Sequence, residues 1–153
     1  MKHSVTRVLM AVATLLVLGS VNYGIVAKER IKTQGRVVLL ALAPVDPRSL
    51  MQGDYLQLRF ELAEQIEPDG TNMAALVLDE RGVASLNPDK PAGGLRIKYR
   101  LRDGRVWLGT NAYFFEEHSA ADYSKARFGE FRVDDSGEAV LTGLRDAELR
   151  PLG

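Results

Sequence analysis

The residues best placed to bind or do chemistry lie between Leu95 and Leu108. Leu95, Ile97, Tyr99 and Leu101 alternate with Arg96, Lys98, Arg100 and Arg102, the period of a half-buried strand with its cations on one face. Asp103-Gly104 then supplies the residue pair favoured by a two-residue type I′ hairpin, and Arg105 to Thr110 returns as the second strand. In that register Arg102 faces Arg105 and Arg100 faces Trp107. The single tryptophan is then expected over a guanidinium, a cation–π contact of about 0.5–1 kcal/mol at an exposed site. Arg96, Lys98, Arg100, Arg102, Arg105 and Trp107 are therefore the candidate binding residues, suited to anionic lipid headgroups, a polyanionic envelope polymer or an acidic partner. The plainer reading is a solvated sheet face neutralised by acids on neighbouring strands.

Other reactive groups are sparse. Ser49 could act as a nucleophile with Lys98 as its base, but a lone serine lacks the base and orienting group that activation requires. Its hydroxyl is better used in supporting a helical first turn. His118 stands beside Glu116 and Glu117, without the second histidine or the spacing of a metal site. No metal or cofactor is expected. With no cysteine in the chain, disulfides and thiolate chemistry are excluded.

The elements that must position these groups are legible in part. Val37 to Ala43 is an apolar run bounded by Gly35 and Pro44, as in a strand buried on both faces. Asp46-Pro47 is a helix-start pair and Gly53 a helix-ending residue, so Pro47 to Gln52 reads as one helical turn. Leu56, Leu58, Phe60 and Leu62 then alternate with Tyr55, Gln57, Arg59 and Glu61, again a half-buried strand. Asp54 is expected to bond the backbone of its own turn. Hairpins are expected at Glu80-Arg81 and at Asp135-Ser136-Gly137, and loops at 64–72 and 87–94. A helix starting at Ser119, with Asp122 completing a capping box and Gly129 past its end, interrupts the strands.

Val8 to Val26 is an uncharged run of nineteen residues following Lys2 and Arg7. As a helix it spans about 28 Å, close to the hydrocarbon thickness of a bilayer. An uncleaved anchor is expected. A signal peptide cut after Ile25-Val26-Ala27 is the alternative, and Lys28, Arg30, Lys32 and Arg36 blur the positive-inside signal. Either outcome exports the rest of the chain. The expected organisation is a cytoplasmic tip (1–7), a transmembrane anchor (8–27), a polar stalk (28–36) and one extracytoplasmic domain (37–153). The fold class is mostly β: an N-terminal transmembrane helix, then a small antiparallel β-barrel or sandwich with one short helix.

The stretch P-V-D-P-R-S-L-M-Q-G-D-Y-L-Q-L-R-F (44–60) resembles the signature of the bacterial family named for its GDYXXLXY motif. It matches at Gly53, Asp54, Tyr55 and Leu58, with Phe60 in place of the last tyrosine. A second match lies in G-T-N-A-Y-F-F-E-E (109–117) and Y-S-K-A-R-F-G-E-F-R-V (123–133). The resemblance covers most of the chain. It implies a protein anchored in the bacterial inner membrane and is silent on mechanism; Asp46, Pro47, Gly53, Asp54, Tyr55, Leu58 and Phe60 are read as architecture. The chain also resembles, more faintly, the type I signal peptidases, which carry an L-x-x-G-D turn like Leu50 to Asp54. Aligned on that turn, Val45 falls at the nucleophilic serine and Arg48 at the family's proline, and valine has no hydroxyl for the covalent route.

Charge narrows the function further. The 20 basic and 20 acidic side chains cancel, and removing Lys2 and Arg7 leaves the exported part slightly acidic. That balance disfavours a nucleic-acid binder, which needs a basic excess. The expectation is a non-catalytic, membrane-anchored binding module that contacts another envelope or membrane protein. The alternative is a degenerate or unconventional hydrolase on a peptidase-like scaffold.

Overall fold

The uncharged run forms the middle of one long helix, α1 (Lys2–Gln34). The computed structural model describes residues 2–44, 51–52, 55–89, 93–110, 112–114 and 123–152. From Val8 to Val26 the large apolar side chains of α1 lie bare, Leu16 at 69% and Tyr23 at 79% exposure. The segment is long and apolar enough to cross a membrane. The helix does not stop there: 28–34, read as a stalk, are helical, and Ile31 is buried. Gly35 closes α1 by donating to the Ile31 carbonyl at 2.8 Å. A Cβ at Gly35 would meet that carbonyl and the backbone of Val133.

The strands run, in chain order, β1 (Arg36–Ala41), β2 (Met51–Gln52), β3 (Tyr55–Gln57), β4 (Met73–Leu78), β5 (Ala84–Leu86) and β6 (Arg96–Arg102). They continue as β7 (Arg105–Leu108), β8 (Ala112–Phe114), β9 (Phe128–Val133), β10 (Ala139–Arg145) and β11 (Pro151–Leu152). The short helix α2 (Glu61–Gln65) follows β3. Three antiparallel sheets result, ordered β1-β9-β10-β11, β5-β4-β6-β7 and β2-β3-β8. The two four-stranded sheets form half-barrels. They meet through a parallel bridge between Leu39 and Val83 and through the Lys98 N–H donating to the Gly137 carbonyl at 2.8 Å. A bridge between Leu42 and Phe60 carries the chain from β1 toward α2.

Alternation fills the space between the half-barrels. Val38 and Leu40 of β1, Phe131 and Val133 of β9, Ile97 of β6, Leu108 of β7 and Leu144 of β10 are essentially fully buried. Phe60 and Phe131 meet edge to face, centroids 5.3 Å apart.

Three turns share one device. Asp79, Asp134 and Asp146 each accept, through Oδ1, from the backbone N–H groups two and four residues on. The third residue after each aspartate has positive φ: Gly82 (80°), Gly137 (82°) and Leu149 (64°). An aspartate mimicking a turn carbonyl thus fixes each reversal. Glycine serves where the left-handed conformation is needed in the first two.

Several local expectations are corrected. Met51 and Gln52 belong to β2, paired with Leu56 and Tyr55 of β3, so the expected helical turn does not extend to Gln52; 45–50, with Asp46, Pro47 and Ser49, lie outside the described residues. The alternation from Leu56 to Leu62 holds as burial, all four apolar side chains being at most 4% exposed. The ladder itself ends at Gln57, and Leu62 belongs to α2. The expected helix at 119–128 is seen only at Tyr123, with a turn at 124–125; 115–122 lie outside the described residues. Gly129 is not a helix terminus but part of β9, opposite Leu40 and Leu144. A Cβ there would stand 2.9 Å from the Phe60 ring and 3.2 Å from that of Phe131, so the missing side chain is space for the aromatic pair.

Candidate functional site

The basic hairpin forms as its sequence demands. Asp103 and Gly104 have φ of 51° and 72°, the paired positive angles of a type I′ turn. Arg102 pairs with Arg105 and Arg100 with Trp107. Ile97 and Tyr99 turn inward; Arg96, Lys98, Arg100, Arg102 and Arg105 are exposed and Trp107 is half-buried. The guanidinium near the indole is that of Arg102, 5.4 Å from the ring centroid, not the directly opposite Arg100. Strand twist brings the diagonal neighbour within reach of a long side chain.

The tertiary fold adds groups that no local pattern places here. Glu138, just past the β9–β10 turn, accepts from Lys28 of α1 at 3.0 Å and from Lys98 of β6 at 3.3 Å. The hydrogen bond from Lys28 is the main reason its carboxyl titrates below the usual range, aided by Lys98 and opposed by desolvation. Arg100, Arg102 and Arg105 make no ion pair among the described residues. One carboxylate thus neutralises the end of the strand nearest the helix and leaves the turn end cationic.

Trp107 lines two depressions. One, of about 530 Å³, lies between Lys28, Lys98, Arg100, Thr110 and Glu138. The other, of about 550 Å³, lies toward α2 and includes Arg59, Glu64 and Arg105. There Arg59 is occupied by Glu64 at 2.8 Å, which leaves Arg105 as the unpaired cation of that depression.

The two motif stretches are neighbours in space: Tyr55, Leu56 and Gln57 of β3 pair with Phe114, Tyr113 and Ala112 of β8. Leu58 and Phe60 continue from β3 into the core. Tyr113 lies 5.3 Å from Tyr123, ring to ring, and burial, then the hydrogen bond between the two, pushes its phenol above the ordinary value. A family model described as GDYXXLXY protein matches residues 17–144. The chain belongs to the GDYXXLXY family. The match runs from within α1 to within β10, so the GDYXXLXY unit takes in the second half of the long apolar helix and the strands from β1 into β10. No curated protein and no solved structure matches the chain, and the likeness to type I signal peptidases is not borne out.

The remaining candidates divide simply. Gly53 and Asp54 of the GDYXXLXY motif, Ser49, and the set Glu116, Glu117 and His118 lie outside the described residues. Lys98, the suggested base, is held by Glu138. Among the described residues no three histidine or acidic side chains are grouped as metal ligands. The buried carboxylate of Asp146 serves architecture. Desolvation raises its titration, but the Arg150 backbone N–H and guanidinium outweigh that and hold it below the usual range.

Proposed function

We propose that this member of the GDYXXLXY family is a non-catalytic binding module, anchored in the bacterial inner membrane by α1 with its β domain on the extracytoplasmic side. Its partner is an acidic surface of another membrane or envelope protein, taken by the β6–β7 hairpin. One observation carries this reading: Arg100, Arg102 and Arg105 surround a half-buried tryptophan at the turn end of a well-defined hairpin with no acid paired to them. Tryptophan and arginine are the side chains that most often anchor protein interfaces, because both offer large contact area with a directed polar group. A tight turn and a paired ladder also reduce the ordering cost of binding.

The test is cross-linked purification of the full chain from membranes. Reversal of Arg96, Arg100 and Arg102 to glutamate is expected to abolish co-purification of the partner while the domain stays folded, and higher salt is expected to weaken the wild-type complex. Unchanged co-purification overturns the assignment of this surface. Serine-directed probes are expected to leave the protein unlabelled; labelling lost on Ser49→Ala would overturn the non-catalytic reading.

A further inference from the structure

A third depression, a groove of about 600 Å³, lies where α1 leaves its bare apolar stretch, between the helix and the β9–β10 turn. Tyr23, Ala27, Arg30 and Gln34 recur along one side of α1 and line it, a spacing that keeps side chains on one helix face. Its far wall is built from Arg36, Val133, Asp134 and Asp135.

The charges are arranged unusually. The guanidinium groups of Arg30 and Arg36 make no ion pair or hydrogen bond among the described residues. Asp134 Oδ1 is consumed by the turn, accepting from the Ser136 N–H and hydroxyl and the Glu138 N–H. Asp135 is exposed and has no such bond among the described residues. Two unpaired guanidiniums therefore share the groove with two carboxylates, Asp134 held by its turn through Oδ1 and Asp135 outside the turn bonding, and its lower end opens onto the apolar face of Tyr23 and Val26.

The height is also specific. Arg30 lies four residues beyond Val26, a helical rise of about 6 Å. The headgroup layer on each side of a hydrocarbon core is of similar depth, about 5–7 Å. We propose that this groove seats the headgroup of a membrane phospholipid carrying a primary amine. The phosphodiester lies against Arg30 and Arg36, the ammonium against Asp135, and an acyl chain descends along the Tyr23 and Val26 side of α1. Guanidinium matches phosphate by forked donation, and a primary ammonium, unlike a quaternary one, donates hydrogen bonds to a carboxylate. The site rests on the reading that α1 crosses a bilayer and is independent of the hairpin surface.

The test uses the full chain purified in mild detergent, supplied with phosphatidylethanolamine, phosphatidylcholine or phosphatidylglycerol. Retained lipid is counted by native mass spectrometry, and alkaline extraction of the parent membranes checks anchoring in parallel. Phosphatidylethanolamine is expected to be retained about tenfold over the other two, the loss or gain of one charge-assisted bond. Arg30→Gln with Arg36→Gln is expected to abolish retention, and Arg30→Lys with Arg36→Lys to restore most of it. Asp135→Asn is expected to erase the preference for the amine while retention persists. Equal retention of the three lipids, retention indifferent to the arginine pair, or displacement by soluble O-phosphoethanolamine at the lipid's concentration would overturn the lipid site. Extraction of the chain by alkali would overturn the anchor reading along with it.

Discussion

Glu138 is where the helix, the turn and the basic strand meet, and its neutralisation should be felt in all three. In Glu138→Gln the side chain keeps its shape and one acceptor but loses the charge shared by Lys28 and Lys98. The two contacts are 3.0 and 3.3 Å long, and the side chains are 37% exposed for Glu138, 54% for Lys28 and 44% for Lys98. At that exposure each pair is worth about 0.2–1 kcal/mol after side-chain ordering. Removing both, and leaving two ammonium groups facing one amide, should cost about 1 kcal/mol. For a domain of this size that is a fall in melting temperature of about 3–6 °C.

Trp107 lines the same depression as Glu138 and Lys28, and it is the chain's single tryptophan. Its emission therefore reports on the perturbed region. Urea titration of the full chain in detergent, followed by this fluorescence, should show a lowered midpoint with an unchanged slope. The difference between wild type and variant should shrink in high salt. The folded carboxyl titrates below its ordinary value, so its stabilisation is fully present above the unfolded pKa of about 4.3 and is lost as pH falls through the folded value. Wild type and Glu138→Gln should therefore converge in acid. Equal midpoints at pH 7, or a difference that persists unchanged in acid and in salt, would refute the ionic account of this junction.

Gly129→Ala should be destabilising by about 1–3 kcal/mol in the same urea titration, because its methyl would lie 2.9 Å from Phe60 and 3.3 Å from Leu141 and overpack a filled core. Gly137→Ala should cost about 1–2 kcal/mol, since an L-residue at its φ of 82° is strained; Gly143→Ala, with open space around its Cβ, should be milder. Tyr113 should ionise above the ordinary tyrosine range by ultraviolet titration, and Tyr123→Phe should lower that value while leaving the contribution of burial. The raised phenol stabilises the fold fully below the unfolded pKa of about 10 and loses that contribution as pH rises through the folded value.

What could be read from the chain in advance was what two to five adjacent residues decide. Asp103-Gly104 has one good solution between strands, and the positive φ angles of the two residues are that solution. The turns after Asp79 and Asp134 were legible for the same reason. Leu56 to Leu62 misled because alternation reports which side chains are buried and not whether a ladder runs through them. The backbone leaves the sheet after Gln57 and coils at Glu61 while still burying every second leucine or phenylalanine. In sequence a packing glycine such as Gly129 looks like a helix-ending one until the ring that fills the space is known. Glu138 carried no local signal, its partners lying 110 and 40 residues away in the chain.

The same carboxylate bears on what kind of partner the hairpin could meet. Lys28 follows Val26 by two residues, about 3 Å along the helix, and one carboxylate joins it to Lys98. If α1 spans the bilayer, the strand therefore starts beside the membrane surface. From Lys98 the chain rises to Arg102 over four residues, about 13 Å of strand, so the unpaired cations and Trp107 are held within roughly that reach of the junction. A partner that engages them must present acid at the same height, which an integral membrane protein with a short extracytoplasmic loop does and a freely diffusing domain must first be concentrated to do. The junction then has two separable effects. Glu138→Gln loosens the seat of the hairpin on α1, and it frees Lys98 to add a further cation to the face. Weaker partner capture in this variant, despite its greater positive charge, would show that orientation against the membrane governs binding; stronger capture would show that charge does.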